Sequence, residues 1–530
     1  MSFRRRPLFQ ALLGASLGAP ALLAAPARAQ GARKVIRSVP IGDLRAFDPI
    51  WTTTYLTRNH AYLVWDTLFA LDAQNRPQPQ MVEHYQTSAD GLTWTFTLRP
   101  GLLWHDGHPV RAADCTTSIR RWGQKDGMGR ALAAVTAALD VVDDRTFRLR
   151  LSRPVGFVLD ALGKIDSAVP FMMPERLART DANTSITEVI GSGPFVFRRE
   201  EWVPGVKVVY DRFDRYVPRA EPPSQAAGGK VVKVDRVESL YTPDAATQMS
   251  GLLTGEFDIL ESPSPDLVQR MARSPDVTVL SNDPLGYQLF FAMNHTLPPF
   301  DNIKARQALL HGIHQPDFMQ AVVGGNTPWR ECAAMFGCVG DEGPQFQEMG
   351  WPAYNPTRAG ELLREAGYKG EPVLVMDPAD NSTLHPPALV LADAMKKMGI
   401  NVDLQVMDWS ALVQRRASKA PPSQGGWNAF ITNATITGIS NPLLNTFART
   451  CADAWFGWAC DARMAPLMEA WTYETDPVKR QAVLKQIERL HIEAVTLAPL
   501  GQYRSLIAHR KSLKGVIPGP ALFYWNMEKA

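Results

Sequence analysis

Long apolar stretches are nearly missing from this chain. Beyond the first thirty residues no run approaches the eighteen or so apolar residues that a membrane-spanning helix needs, which excludes a polytopic membrane protein built of helices. Cysteine is scarce, at five in 530 residues, so a small scaffold stapled by many bridges is excluded as well. No lysine- or arginine-rich tract occurs, and nucleic acid is therefore not an expected partner. There is no G-x-S-x-G elbow and no HExxH helix, so hydrolytic chemistry has no sharp support. A repeat of fixed period is also lacking.

What is present is globular in character. Hydrophobic residues make up 45% and charged residues 21%, an ordinary balance for a packed domain, and the length allows two or three domains. Fourteen tryptophans can serve the core or line a pocket, where rigid rings lose little entropy on binding. The first residues read as an export signal. Arg4, Arg5 and Arg6 precede a run from Leu8 to Leu23 rich in Ala, Leu and Gly, and Ala27-Arg28-Ala29 offers a cleavage site. Arg5-Arg6-Pro7-Leu8-Phe9 also loosely fits a twin-arginine signal, leaving the export route open. Gly14, Gly18 and Pro20 interrupt the run, which suits it poorly to a permanent anchor. Removing residues 1–29 takes away four of 56 basic residues and none of the 53 acidic ones, turning a formal +3 into −1.

In an oxidising compartment, Cys332 with Cys338 and Cys451 with Cys460 are close enough in sequence to close small loops as disulfides. Sequence alone does not fix that pairing. Zinc is the rival reading, but neither pair has C-x2-C spacing or a histidine cluster. Cys115, in a helical stretch, is expected to be a buried thiol. Period-two alternation predicts strands at 92–98 and 146–151, with further strands at 34–41, 81–86 and 206–210. Helices are predicted at about 58–69, 112–122 and 244–254. Two more start at Asn355-Pro356 and Asp476-Pro477, each pairing an N-cap with proline in the first turn. Pro/Gly-rich stretches at 218–229 and 420–426 read as exposed loops. Strands and helices mix without a strict βαβ rhythm, which suggests α/β lobes with mixed sheets.

Several segments, taken in order, resemble the family 5 extracellular solute-binding proteins. They are Ser88 to Gly101 followed by Trp104 to Asp114; Ile190-Gly-Ser-Gly-Pro-Phe195; Leu252 to Ile259; Asn294 through Pro298 to Ala308; Tyr354 to Tyr368; and Met398 to Leu404. The resemblance implies a type II periplasmic-binding-protein fold: two lobes with mixed sheets, joined by hinge strands, and an extra subdomain on the first lobe. It would place 31–290 in lobe I, with a subdomain at about 70–185. Lobe II would span 291–503, and 504–530 would return to lobe I. The implied function is a non-enzymatic, monomeric periplasmic receptor. It would close around a peptide-like or other small polar solute and deliver it to an ABC permease, with no cofactor and no metal. A periplasmic hydrolase or peptide-handling chaperone, or a partner of a sensory receptor, are the alternatives.

Candidate ligand contacts come mainly from the segment Trp427 to Pro442. Trp427, Asn433, Thr435 and Gly438 are proposed to face the ligand. In peptide-binding relatives an aspartate that pairs with the ligand's α-amino group matches the position of Gly438 here, so the charged partner is missing and an ordinary dipeptide is disfavoured. Trp51, Thr53 and Tyr55 follow the first strand, where the family approaches its ligand. Trp455 and Phe456 lie in the Cys451–Cys460 interval, and Asn294 (with Met293) sits at the expected crossing. Arg449, Gln502 and Tyr503 are weaker candidates. His105-Asp106-Gly107-His108 is read as a turn rather than a metal site, and Gly191-Ser192-Gly193 as a turn rather than a phosphate loop, since Pro194 follows and no Lys-Ser/Thr completes it.

Overall fold

The computed structural model describes residues 33–324, 327–338, 350–474 and 476–530; the export signal expected at 1–29 lies outside them. Three sheets organise the rest. The first has seven strands in the order Val277–Ser281, Leu506–Arg510, Ile259–Leu260, Val35–Val39, Arg236–Leu240, Lys207–Arg212 and Phe195–Phe197. Val35–Val39 runs parallel to both neighbours, while the outer pairs are antiparallel, so the sheet is mixed. The second has six strands in the order Trp329–Arg330, Ala498–Tyr503, Tyr287–Met293, Ala429–Thr435, Val373–Pro378 and Val402–Met407. Every residue of its Tyr287–Met293 strand is buried, as expected where helices cover both faces.

A third, four-stranded antiparallel sheet comprises Val82–Thr87, Thr93–Leu98, Thr146–Leu151 and Thr136–Val141. Here the alternation seen in sequence is explicit: Phe147, Leu149 and Leu151 are buried while Arg148 and Arg150 are exposed. Among the described residues, no helix is long and apolar enough to cross a membrane.

Caps behave as their chemistry dictates. The side chain of Asn355 accepts from Arg358 N in the helix Pro356–Glu365, and that of Asp476 accepts from Val478 N and Lys479 N. Elsewhere sequence and structure differ for local reasons. The helix predicted over 58–69 is Tyr55–Val64. It stops where Val64 O accepts from Gly193 N at 2.8 Å, and a Cβ on Gly191 would collide with that same carbonyl. The Gly191-Ser192-Gly193 turn is thus a packing device at a helix end. The stretch 218–229 is exposed only in its first half. Residues 225–230 are buried because Lys230 forms a fully buried ion pair with Asp66 at 2.7 Å and its ammonium lies 4.8 Å from the Trp525 ring centre.

Two disulfides, Cys332–Cys338 and Cys451–Cys460, close their loops; Cys115 is a free, buried thiol. The chain passes from the first sheet to the second between Ser281 and Tyr287, and returns between Tyr503 and Leu506. Asn282 N donates to Ser505 O at 3.0 Å, tying the two crossings together. Gly286 has φ +81°, and a Cβ there would run into Tyr503 O, so glycine is required where the crossings touch. The boundary expected near 290 falls inside the Tyr287–Met293 strand, which pairs wholly within the second sheet.

Candidate functional site

Between the two large sheets lie two spaces with shared walls. One, of about 620 Å³ of empty volume partly open to solvent, is lined from the first-sheet side by Tyr55, Arg58, Glu261 and Asn282, and from the second by Tyr287, Asn381, Asn433 and Tyr503. The other, of about 450 Å³, is lined by Thr53, Asp166, Arg416, Gly438 and Trp455. Tyr55, Trp409 and Asn433 border both. Direct hydrogen bonds span the gap around these spaces: Tyr241 OH donates to Asp380 Oδ2 at 2.7 Å, Ser262 and Thr383 hydroxyls meet at 2.9 Å, and Ser410 Oγ donates to Asp43 O at 2.7 Å.

The electrostatic centre is a carboxylate that sequence reasoning missed. Asp166 lies in the segment after the short helix Val158–Gly163. It pairs with the buried Arg58 guanidinium at 3.3 Å, accepts from Tyr55 OH at 3.3 Å, and meets the Thr435 hydroxyl from the second sheet. Arg58 also donates to Pro520 O at 2.6 Å and lies 4.1 Å from the centre of the Tyr55 ring. Burial alone would lower the basicity of Arg58; Asp166, together with the Tyr55, Tyr287 and Tyr62 phenols, outweighs it and holds the guanidinium more basic than usual. Thr435 ends its strand, and its Oγ1 accepts from Gly438 N at 3.0 Å, capping the short helix Ile436–Ile439. That turn brings Gly438 against Asp166, so closely that a Cβ on Gly438 would overlap Asp166 Oδ2.

Of the sequence-predicted residues, Thr53, Tyr55, Asn433, Gly438 and Trp455 line these spaces. Asn433 donates to Tyr503 OH at 2.6 Å, which brings in the weaker candidate Tyr503. Thr435 stands behind them as a support. Phe456 is half-buried and lies 4.6 Å from the Arg416 guanidinium carbon. Trp427 is fully buried in a cluster with Phe430 and Trp458, its indole N–H donating to Arg416 O; it lines neither space. Asn294 is fully buried and donates to Trp427 O, holding backbone together, and Met293 is buried beside it. Trp51 is 48% exposed. Arg449 is half-buried, donates to Leu443 O and packs against Gly127. Gln502 donates to Leu285 O at the crossing. The His105–His108 segment is a turn in which Trp104 N donates to His108 O and Gly107 has φ +90°. Arg58, Asp166, Glu261, Tyr287, Trp409 and Arg416 carried no motif. The one available signal was Arg58, a charge inside a helix whose residues from Leu56 to Val64 are all buried.

Glu261 sits on the wall of the larger space, accepting from Ile41 N at 3.3 Å and from Asn59 Nδ2. Burial pushes its carboxyl up to about 7, against a smaller opposing pull from Arg58. A carboxyl raised on folding stabilises the fold fully below its unfolded pKa near 4.5, and that contribution is lost as pH rises through about 7. Glu261→Gln is therefore expected to flatten the decline in unfolding free energy between pH 5 and 7.5 by about 2–3 kcal/mol, allowing for partial exposure. Urea denaturation at a series of pH values reads this, and superimposable profiles for variant and wild type would refute it.

With this geometry in view, comparison with known proteins is decisive. The profile of the bacterial extracellular solute-binding proteins, family 5 Middle, matches residues 76–446, and a probable peptide ABC transporter periplasmic-binding protein of Sinorhizobium fredii is 36% identical over 537 residues, covering 100% of both chains. The chain belongs to the family 5 solute-binding proteins. A glutathione-binding protein of Salmonella typhi is 26% identical over 94% of this chain and 95% of its own. The fold of this family 5 protein is that of the type II periplasmic binding proteins. The dipeptide-binding protein of Pseudoalteromonas sp. SM9913 in complex with Met-Leu superimposes with a TM-score of 0.78 at 20% identity, over 94% of this chain and 100% of that one. MoaA of A. tumefaciens R10 in complex with mannopinic acid gives 0.78 at 21%, over 94% and 99%.

Proposed function

We propose that this chain is the periplasmic capture component of an ABC importer, acting as a monomer that closes over one small polar solute and releases it unchanged to a permease. The lobes in this reading are 34–281 with 506–530, and 287–503. The observation that carries it is the pair of cavities that share walls and are lined from both sheets, with the described chain crossing between the bodies at 282–286 and 504–505. Membership in family 5 and the peptide-transport names of its relatives support the same reading. Contacts across the gap, such as Tyr241–Asp380 and Ser262–Thr383, are available to shift an open–closed equilibrium when a solute fills the space.

The walls suit a solute held by amides, hydroxyls and aromatic rings. Near Gly438 the carboxylate of Asp166 is already committed to Arg58, so among the described residues a ligand ammonium placed there gains no free partner. A thermal-shift screen of small solutes is expected to find one that stabilises by about 2.7 kcal/mol at roughly 100 times its Kd, with simple glycine dipeptides giving little shift. Small-angle scattering should show compaction with the same solute, and chromatography should return it intact. Turnover, or binding without compaction, would refute the proposal.

A further inference from the structure

Arg416 is a buried cation without a counter-ion. It follows the helix Trp409–Arg415, which Asp408 caps, and it is 3% exposed. Among the described residues no carboxylate pairs with it. Among the described residues its side chain makes one hydrogen bond, from Nη2 to Thr53 Oγ1 at 3.2 Å, and its Nε has no partner there. Burial pushes the guanidinium down to about 9, with no opposing charge. Such a group is costly in a protein interior unless something pairs with it.

The surroundings indicate what that is. Arg416 lies on the wall of the 450 Å³ space, with Phe456 and Trp455 ring centres at 4.6 and 5.3 Å from its guanidinium carbon. Trp455 Nε1 also points at Thr53 Oγ1, at 3.5 Å. Two N–H donors from the second lobe thus converge on one hydroxyl of the first, and a third donor stands idle. Asp166, which borders the same space from the first lobe, is held by Arg58, Tyr55 and Thr435. We infer that the captured solute carries a carboxylate, and that Arg416 is the residue that selects it, with the Trp455 indole N–H and the Thr53 hydroxyl beside it. The forked guanidinium suits a planar carboxylate, and flanking rings keep the pair dry. The inference rests on the capture reading above and adds the class of solute.

The test uses the mature protein stripped of bound solute. It is titrated with acetate and propionate, with acetamide and propionamide as neutral isosteres, and with phosphate and sulfate, all at fixed ionic strength. The carboxylates are expected to raise Tm saturably and the amides not at all. Arg416→Gln should weaken the acetate response at least tenfold without lowering the ligand-free Tm, because it removes an unpaired buried charge. Arg416→Lys should keep part of the response. Should Arg416→Gln fail to fold, Thr53→Val and the wild-type acetate-to-acetamide contrast decide. A second arm is native mass spectrometry of unstripped protein, where the retained molecule, once released, should gain the mass of one CH2 for each carboxyl on methyl esterification. Equal action of amides, an unchanged response in Arg416→Gln, no response to carboxylates, or preference for phosphate or sulfate would each overturn the assignment. A retained neutral or purely cationic solute would overturn it while leaving capture intact. Failure of every solute class to compact the protein would instead overturn capture.

Discussion

Replacing Asp166 by asparagine is expected to lower unfolding stability by about 3 kcal/mol, at the lower end of the 3–5 kcal/mol typical when one partner of a buried ion pair is removed. The Arg58 guanidinium is 3% exposed and the Asp166 side chain 7%, so water cannot replace the lost charge. Arg58 keeps Pro520 O and Asn59 Oδ1 as acceptors, which places the effect at the low end. Pairing the change with Arg58→Met should recover part of the loss, since two absent charges cost less than one stranded charge. Chemical denaturation of the two single variants and the double variant closes the cycle. A loss under 1 kcal/mol for Asp166→Asn, or additive losses in the double variant, would show that the pair is not the electrostatic centre of the site.

This pair also marks where sequence reading stops. Arg58 and Asp166 are 108 residues apart, on a helix and in an irregular segment, and nothing periodic or motif-like connects them. Their meeting is a product of tertiary packing. By contrast, the strands at 93–98 and 146–151 were legible because one face is buried and the side-chain period is two. The starts at Asn355 and Asp476 were legible because a capping side chain acts within three residues. The small disulfide loops were suggested by close cysteine spacing and needed the structure to fix their pairing. Trp427 illustrates the ambiguity of a lone aromatic. It lies two residues before the strand Ala429–Thr435, and its ring packs against Phe430 and Trp458, while Asn433 further along that strand reaches the cavity; only the tertiary packing separates the two. Arg416 was hidden for a different reason: a basic residue at a helix end is usually solvated and favoured by the helix dipole, and only the fold reveals that this one is enclosed.

Gly438→Asp is expected to reduce solute affinity at least 100-fold while leaving the open protein folded. In the capture reading the two effects separate because Gly438 and Asp166 fall in different lobes and touch where the lobes meet. A Cβ at 438 would overlap the Asp166 carboxylate, and that carboxylate cannot step aside while Arg58, Tyr55, Thr435 and Ser167 N all hold it. A second carboxylate adds like-charge repulsion in a dry site, where charges interact more strongly than in water. Closure is then blocked sterically and electrically, whereas each lobe alone keeps its packing. The decisive control is the exchange. Adding Asp166→Gly to Gly438→Asp vacates the space and returns a carboxylate to within reach of Arg58 from the opposite lobe, so affinity should recover at least tenfold over Gly438→Asp alone. Isothermal titration with the solute found by screening, alongside urea denaturation of each variant, measures both quantities. If Gly438→Asp binds as wild type does, the lobes do not meet at this glycine when a solute is held. If the exchange brings no recovery, the carboxylate at the junction is not interchangeable between lobes, and glycine at 438 serves the backbone rather than the space beside it.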